Sequence, residues 1–339
     1  MSSSNQSGII VSIVSIVVIL AALVANYSII EPMEIAAARP RPEDIFIVSY
    51  PKSGSTFVRL LLGHLALNGR QTGREGARQL DLQTIEDLVP DLEYGPNRRA
   101  YTQPPVSSKY INMPVRLFKS HQAFGFAYKP PCDKSIGSSN VEGFQCACPN
   151  CPLHMKRIVY VVRDGRDTLC SYFHFQKKLG EFAGQGAGEF TEFLEKDLNE
   201  ALYPGVRWLE HTRAYWEQSR NASSDQDIYL VRYEDLRDPR TALDAATKLA
   251  SWAGLPSDLE SVIDALERSG FQKMRKLEEA NGLKLFDRHY TGREADFRLT
   301  RKGVVGGWRD DPACQLPDEQ TSEFIRSAGP LLKELGYDY

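Results

Sequence analysis

The stretch SYPKSGSTFVRLLL at residues 49–62 constrains the fold more than any other part of the chain. Upstream of it Ile45, Phe46, Ile47 and Val48 form a short apolar run that reads as a buried strand, and downstream Phe57, Leu60, Leu61, His64 and Leu65 recur at helical spacing. The unit is strand, glycine loop, helix. In such a unit Gly54 bends the backbone closely around a ligand, Ser55 or Thr56 caps the helix, and the free N–H groups of its first turn point at an anion. Lys52 adds a positive charge beside them. A Walker A loop ends in a lysine followed by Ser or Thr, whose hydroxyl goes to magnesium. Here the lysine precedes the glycine, which disfavours a P-loop nucleotide kinase or triphosphatase.

The rest of the chain repeats the alternation. Residues 69–110 are polar and punctuated by Pro90, Pro96, Pro104 and Pro105, and read as loops and short helices covering a sheet edge. Strands are expected at 115–119, at 157–162 (RIVYVV) and within DIYLVRYEDL from Asp227. A helix bearing Trp208, His211, Tyr215 and Trp216 precedes the last of these, and its aromatic residues read as core. Strands alternating with helices predict an α/β fold: a P-loop-like parallel sheet with helices on both faces, holding its ligands at the carboxyl ends of the strands. The length of 339 residues suits a single globular domain at 44–339 plus an appendage. A formal net charge of -3 argues against nucleic acid as a partner.

The appendage is N-terminal. After a short tail at 1–7, residues 8–30 carry no charge and are rich in Ile, Val, Leu and Ala, enough to cross a bilayer as a helix of about 20 residues. They read as a transmembrane signal-anchor followed by a linker at 31–43; a cleaved signal peptide fits less well, because no Lys or Arg precedes the run. Arg39 and Arg41 follow it, which leans toward a cytosolic catalytic domain. The cysteines lean the other way. Cys132, Cys146, Cys148 and Cys151 crowd an insertion at 130–152 and suit either disulfides in an oxidising lumen or a zinc site, whereas Cys170 and Cys314 stand alone. The sequon at Asn221, Ala222 and Ser223 agrees with a lumenal, Golgi setting.

Two further segments carry anion-binding chemistry. The strand at 157–162 runs into RDGRDTLCSYFHF, where Arg163 and, one turn into the next helix, Ser171 can share a phosphate, with Asp167 as the helix cap. Near the C-terminus TRKGVVGGWRD places Arg301 and Lys302 ahead of glycine turns, a second basic clamp. Two anion sites in one parallel-sheet domain suggest a nucleotide phosphorylated at both ends.

The ordered set YPKSGSTF, RLFKSH, YVVRDGRDTLCSYFHF, YLVRYEDL and RKGVVGGWRD resembles the sulfotransferases that use 3′-phosphoadenosine 5′-phosphosulfate, PAPS, in their cytosolic-type branch. The resemblance implies that Lys52, Ser53, Gly54, Ser55 and Thr56 hold the phosphosulfate. It assigns Arg163, Ser171, Arg301, Lys302 and Gly303 to the 3′-phosphate, and places Phe57 and Tyr233 at the adenine with Ser269 and Phe271 nearby. It makes His121 the catalytic base, with Lys52 and Lys119 stabilising charge on the transferring group. If the second strand runs through them, Lys119 and His121 face the same side. PAPS is then a co-substrate; no cofactor is permanently bound and no metal is needed. The acceptor would offer a hydroxyl or amine, as a small phenol, sterol or other alcohol, or a glycan. Against this pattern the chain has Phe57 for a usual Trp, Gly307 for a usual Asp and Leu299 for a usual aromatic. A noncatalytic, membrane-tethered nucleotide-binding protein is the other reading of the same motifs.

Overall fold

A computed structural model describes residues 41–68, 79–81, 84–91, 115–124, 155–179, 189–199, 206–281 and 300–338. Four strands, β1 (Ile45–Val48), β2 (Leu117–Ser120), β3 (Arg157–Val162) and β4 (Asp227–Arg232), form one sheet in the order β2-β1-β3-β4. Every pairing is parallel: Ile45 stands opposite both Leu117 and Arg157, and Arg157 opposite Asp227. The two central strands are continuous apolar runs because both of their faces are covered, whereas β4 is only partly buried.

The covering helices follow from the alternation of side chains along β3. Tyr160 points to one face and stacks on Tyr215 (4.5 Å) and His211 (5.7 Å) of the helix Trp208–Ser219. Arg157, odd-numbered and therefore on the other face, lies over Trp252 (4.8 Å) of the helix Ala242–Ala253. In chain order the helices are α1 (Ser55–Asn68), α2 (Ile85–Leu88), α3 (Gly165–Leu179), α4 (Glu189–Asn199), α5 (Trp208–Ser219), α6 (Tyr233–Arg237), α7 (Ala242–Ala253), α8 (Leu259–Ser269), α9 (Phe271–Asn281) and α10 (Asp318–Glu334). α1 packs along α8, where the Asn68 amide donates to Asp264 (3.0 Å).

The expected parallel sheet with helices on both faces is present. β2 begins two residues later than expected, at Leu117: the Arg116 carbonyl accepts from Ile45 N–H of β1 (2.9 Å), and its side chain makes a buried ion pair with Asp44. The last strand stops at Arg232, and the rest of its motif, from Tyr233, turns into α6. Trp208, His211 and Tyr215 are core, as read, whereas Trp216 is only partly buried and packs against the core's edge. Among the described residues no helix is long and apolar enough to cross a membrane. The tail, the charge-free run at 8–30, most of the linker, Leu299 and the four cysteines of the 130–152 insertion lie outside the described residues.

Candidate active site

β1, β2, β3 and β4 all release their chains at one edge of the sheet, so Lys52, His121, Arg163 and Tyr233 lie on its carboxyl side. The loop after β1 is a tight turn, closed by Ser53 N–H donating to the Tyr50 carbonyl (3.2 Å). It reverses through two left-handed residues, Lys52 (φ 69°) and Gly54 (φ 104°). Glycine is required at the second: a Cβ there would sit 2.3 Å from Cδ2 of Tyr233. Neither Ser55 nor Thr56 caps α1. Its first residue is Ser55, and the Gly54 carbonyl accepts from Phe57 N–H (3.0 Å) and Val58 N–H (3.3 Å), so Ser55 and Thr56 are the first two residues of the helix, at its N–H-rich start. Beside them Lys52 Nζ lies over the Phe175 ring at 4.3 Å. Desolvation lowers the Lys52 pKa to about 8, Glu278 opposing and Arg163, Arg301 and Lys119 assisting.

β2 delivers Lys119, whose ammonium pairs with Asp91 at 2.8 Å. The strand ends at Ser120, so His121 lies just past it and the condition for Lys119 and His121 to share a strand face is not met. The two remain electrostatic neighbours. Burial first, and then the Lys119 charge, hold the His121 pKa well below the usual 6.5, so its ring is neutral. Its Nδ1 lies 2.6 Å from the Ser49 carbonyl oxygen. A carbonyl can only accept, so Nδ1 carries the hydrogen and Nε2 the lone pair. His211 supports the other side: its Nε2 donates to the His121 carbonyl (3.1 Å) while Nδ1 meets the Tyr160 hydroxyl (2.9 Å). His211 reads only as core in the sequence, because nothing local shows that α5 reaches His121.

Arg163 follows the last residue of β3, and its guanidinium lies over Tyr233 (4.8 Å) and donates to the Val304 carbonyl (3.1 Å). The cap of α3 is Asp164, which accepts from Arg166 N–H (2.9 Å), and Asp167 is therefore corrected from its expected capping role. Asp167 instead accepts from the N–H groups of Gly306 (2.7 Å) and Trp308 (3.0 Å) and pairs with Arg163 at 3.5 Å. It fastens the C-terminal glycine loop to α3. Ser171 is one turn further along the same helix, partly exposed.

The basic clamp is held from several directions. Glu278 of α9 accepts from Thr300 N–H (3.1 Å), and Arg301 and Lys302 both pair with Asp311. Gly303 (φ 63°) presses against Phe271, where a Cβ would fall 2.3 Å from Cδ2. Ser269, at the end of α8, is fully buried and its hydroxyl has no partner among the described residues. Phe57 and Tyr233 do not form two parallel walls: their rings meet edge to face, with centroids 6.4 Å apart. The two side chains are neighbours at the carboxyl side of the sheet.

Cys170 and Cys314 do not stand alone; they form a disulfide that joins α3 to the short 3-10 turn Pro312–Cys314. His174 and Asp311 adjoin it, and the four potential ligand atoms lie within 4.8 Å of one another, but both sulfurs are consumed in the bond.

The parallel sheet, the glycine loop opening α1 and the basic clamp across from it have the form of a nucleotide-dependent transferase. The chain belongs to the sulfotransferase family, enzymes that take the sulfuryl group from PAPS: the sulfotransferase domain matches residues 42–135 and 149–336. The amine sulfotransferase of Oryctolagus cuniculus is 27% identical over 289 residues, 84% of this chain and 79% of the relative. Sulfotransferase 4A1 of Homo sapiens is 27% identical over 278 residues, 82% and 77% of the two chains. In fold the chain is similar to mouse sulfotransferase SULT7A1 complexed with PAP (TM-score 0.52, 20% identity, 87% of this chain and 90% of that one). It is equally similar to retinol dehydratase in a complex with retinol and PAP (TM-score 0.52, 21% identity, 88% and 84%).

Proposed function

We propose that the chain transfers the sulfuryl group of PAPS to a hydroxyl or amine of a small acceptor, with His121 as general base. The acceptor loses its proton to His121 Nε2 as its oxygen or nitrogen bonds to sulfur, and the bond from sulfur to the phosphate oxygen breaks, releasing 3′-phosphoadenosine 5′-phosphate, PAP. The N–H groups of Ser55 and Thr56 and the Lys52 ammonium face the charge that builds on the leaving oxygen, and Lys119 lies nearby. Arg163, Ser171, Arg301, Lys302 and Gly303 take the 3′-phosphate.

The observation that carries this reading is the bond from His121 to Ser49, three residues before Lys52. It ties the base to the anion loop through one rigid strand end. The names of the relatives support both acceptor chemistries: one is an amine sulfotransferase, and a retinol dehydratase is crystallised with androsterone as well as retinol. We therefore place phenols, sterols, other alcohols and amines ahead of glycans. Incubating the full chain with sulfur-labelled PAPS and one member of each class tests the reading; tight PAP binding with label reaching no acceptor would favour the noncatalytic alternative.

The run at 8–30 anchors this enzyme in a membrane, with the catalytic domain on the lumenal, Golgi side. Support comes from its lack of charge, from the Cys170–Cys314 disulfide and from the exposed Asn221. Alkaline carbonate extraction of the full chain, beside a chain lacking residues 1–30, tests the anchor.

A further inference from the structure

Cys170 and Cys314 are 144 residues apart in sequence and buried. Cys170 lies on α3 between Asp167, which holds Gly306 and Trp308, and Ser171. Cys314 closes the 3-10 turn that Asp311 caps by accepting from Ala313 N–H (3.2 Å). Asp311 is the residue on which the clamp converges. Its Oδ2 takes the Arg301 guanidinium, the Lys302 ammonium at 3.1 Å and His174 Nε2 at 3.2 Å. Arg301 also reaches Cys170 Sγ, at 3.7 Å. One covalent bond therefore couples the helix that carries Ser171 and, through Asp167, pairs with Arg163 to the turn that sets Arg301 and Lys302.

From this arrangement we infer that the Cys170–Cys314 disulfide, acting through Asp311, is a positioning element for the 3′-phosphate clamp, and that the enzyme's preference for a 3′-phosphorylated nucleotide depends on it. The inference rests on the proposed assignment of Arg301 and Lys302 to the 3′-phosphate. Opening the bond takes two electrons and two protons: a small dithiol gives up both and closes to its own cyclic disulfide, leaving Cys170 and Cys314 as thiols. The 3-10 turn is then held to α3 only by non-covalent contacts, and Asp311 is free to shift with both cations. Among the described residues the 5′-side loop makes no contact with the disulfide or with Asp311: Lys52 to Thr56 are positioned by β1, α1 and Tyr233, and the loop meets this side through Arg163, which donates to the Lys52 carbonyl (3.4 Å). Opening the bond should thus act chiefly on the 3′-phosphate.

The test compares PAP with adenosine 5′-phosphate as ligands of the full chain, by calorimetry, before and after dithiothreitol. The ratio of the two affinities should fall on the order of tenfold on reduction, as for loss of one charge-assisted hydrogen bond to phosphate, with adenosine 5′-phosphate binding little changed. Reoxidation should restore the ratio. Because dithiothreitol also acts on any bonds among Cys132, Cys146, Cys148 and Cys151, the double variant Cys170→Ala, Cys314→Ala must show the low ratio without reductant and no further response to it. Should that variant not fold, the reduced and reoxidised parent protein decides the matter, with circular dichroism confirming that the reduced chain stays folded. An unchanged ratio on verified opening of the bond overturns the inference, as does mass spectrometry finding both thiols free in the protein as isolated. If the oxidised parent itself fails to distinguish PAP from adenosine 5′-phosphate, the clamp assignment fails first.

Discussion

The Nδ1 of His121 lies 2.6 Å from the carbonyl oxygen of Ser49, so the proposed base is fastened to the strand end from which the anion loop departs. The contact fixes the tautomer and aims the lone pair of Nε2 away from β1. His121→Ala should therefore leave PAP binding nearly intact, while transfer to an aliphatic alcohol falls by roughly 10² or more. A phenol of low pKa, already partly ionised, should suffer less. Calorimetry with PAP and turnover with both acceptors check this; normal turnover with the alcohol in the variant would make another residue the base.

The pH profile separates two groups with opposite requirements. As the proposed base His121 acts when deprotonated, and its pKa is held well below 6.5, so its contribution is already full at neutral pH and is lost only as pH falls through that low value. In its proposed role Lys52 acts when protonated, and with a pKa of about 8 its contribution is present below that value and lost above it. For an aliphatic acceptor, kcat/KM should stay level across the ordinary histidine range and fall on an alkaline limb near 8. Lys52→Arg, charged at all these values, should abolish the alkaline limb whatever rate remains. An acid limb near 6.5 would show that His121 titrates as an ordinary exposed histidine.

What could be read from the sequence was local. RIVYVV gave β3 to the residue because an unbroken apolar run is the mark of a strand buried on both faces. Gly54 was legible because its loop needs a close approach, here by Tyr233. The contacts that hold the site join residues far apart: Asp167 to Gly306 across 139 positions, Cys170 to Cys314 across 144. Periodicity and propensity carry no information at that range. Asp167 looked like a cap because first-turn acids usually serve the helix dipole; Asp164 had already filled that place, leaving Asp167 free for the glycine loop. The edge-to-face contact of Phe57 and Tyr233 was equally hidden, since it is set by how α1 and α6 meet.

Asp167 offers a test of whether that glycine loop belongs to the site. It is buried, and both of its carboxylate oxygens accept backbone N–H groups from the loop. Asp167→Asn keeps the shape but turns one acceptor into a donor facing an N–H, which should cost about 1–3 kcal/mol of stability in urea unfolding. The loosened loop should also raise the PAP dissociation constant by about tenfold, since Gly303 to Gly306 carry the backbone beside Lys302. A variant destabilised by that amount yet binding PAP normally would place the loop outside the nucleotide site.

The proposed membrane orientation can be tested at Asn221, which stands exposed in the turn after α5 and whose Oδ1 accepts from Ser223 N–H (3.0 Å). This turn is far from the carboxyl edge of the sheet, since it leads into the start of β4 rather than away from its end. A glycan there would not obstruct the active site. If the catalytic domain is lumenal, the full chain expressed in a eukaryotic cell should carry an N-glycan, so that glycosidase treatment increases its mobility on a denaturing gel, and Asn221→Gln should remove the shift. The same domain should resist protease in sealed vesicles until detergent is added. A domain that is cleaved in intact vesicles and shows no glycosidase shift faces the cytosol, and the Cys170–Cys314 bond would then have to persist in a reducing compartment.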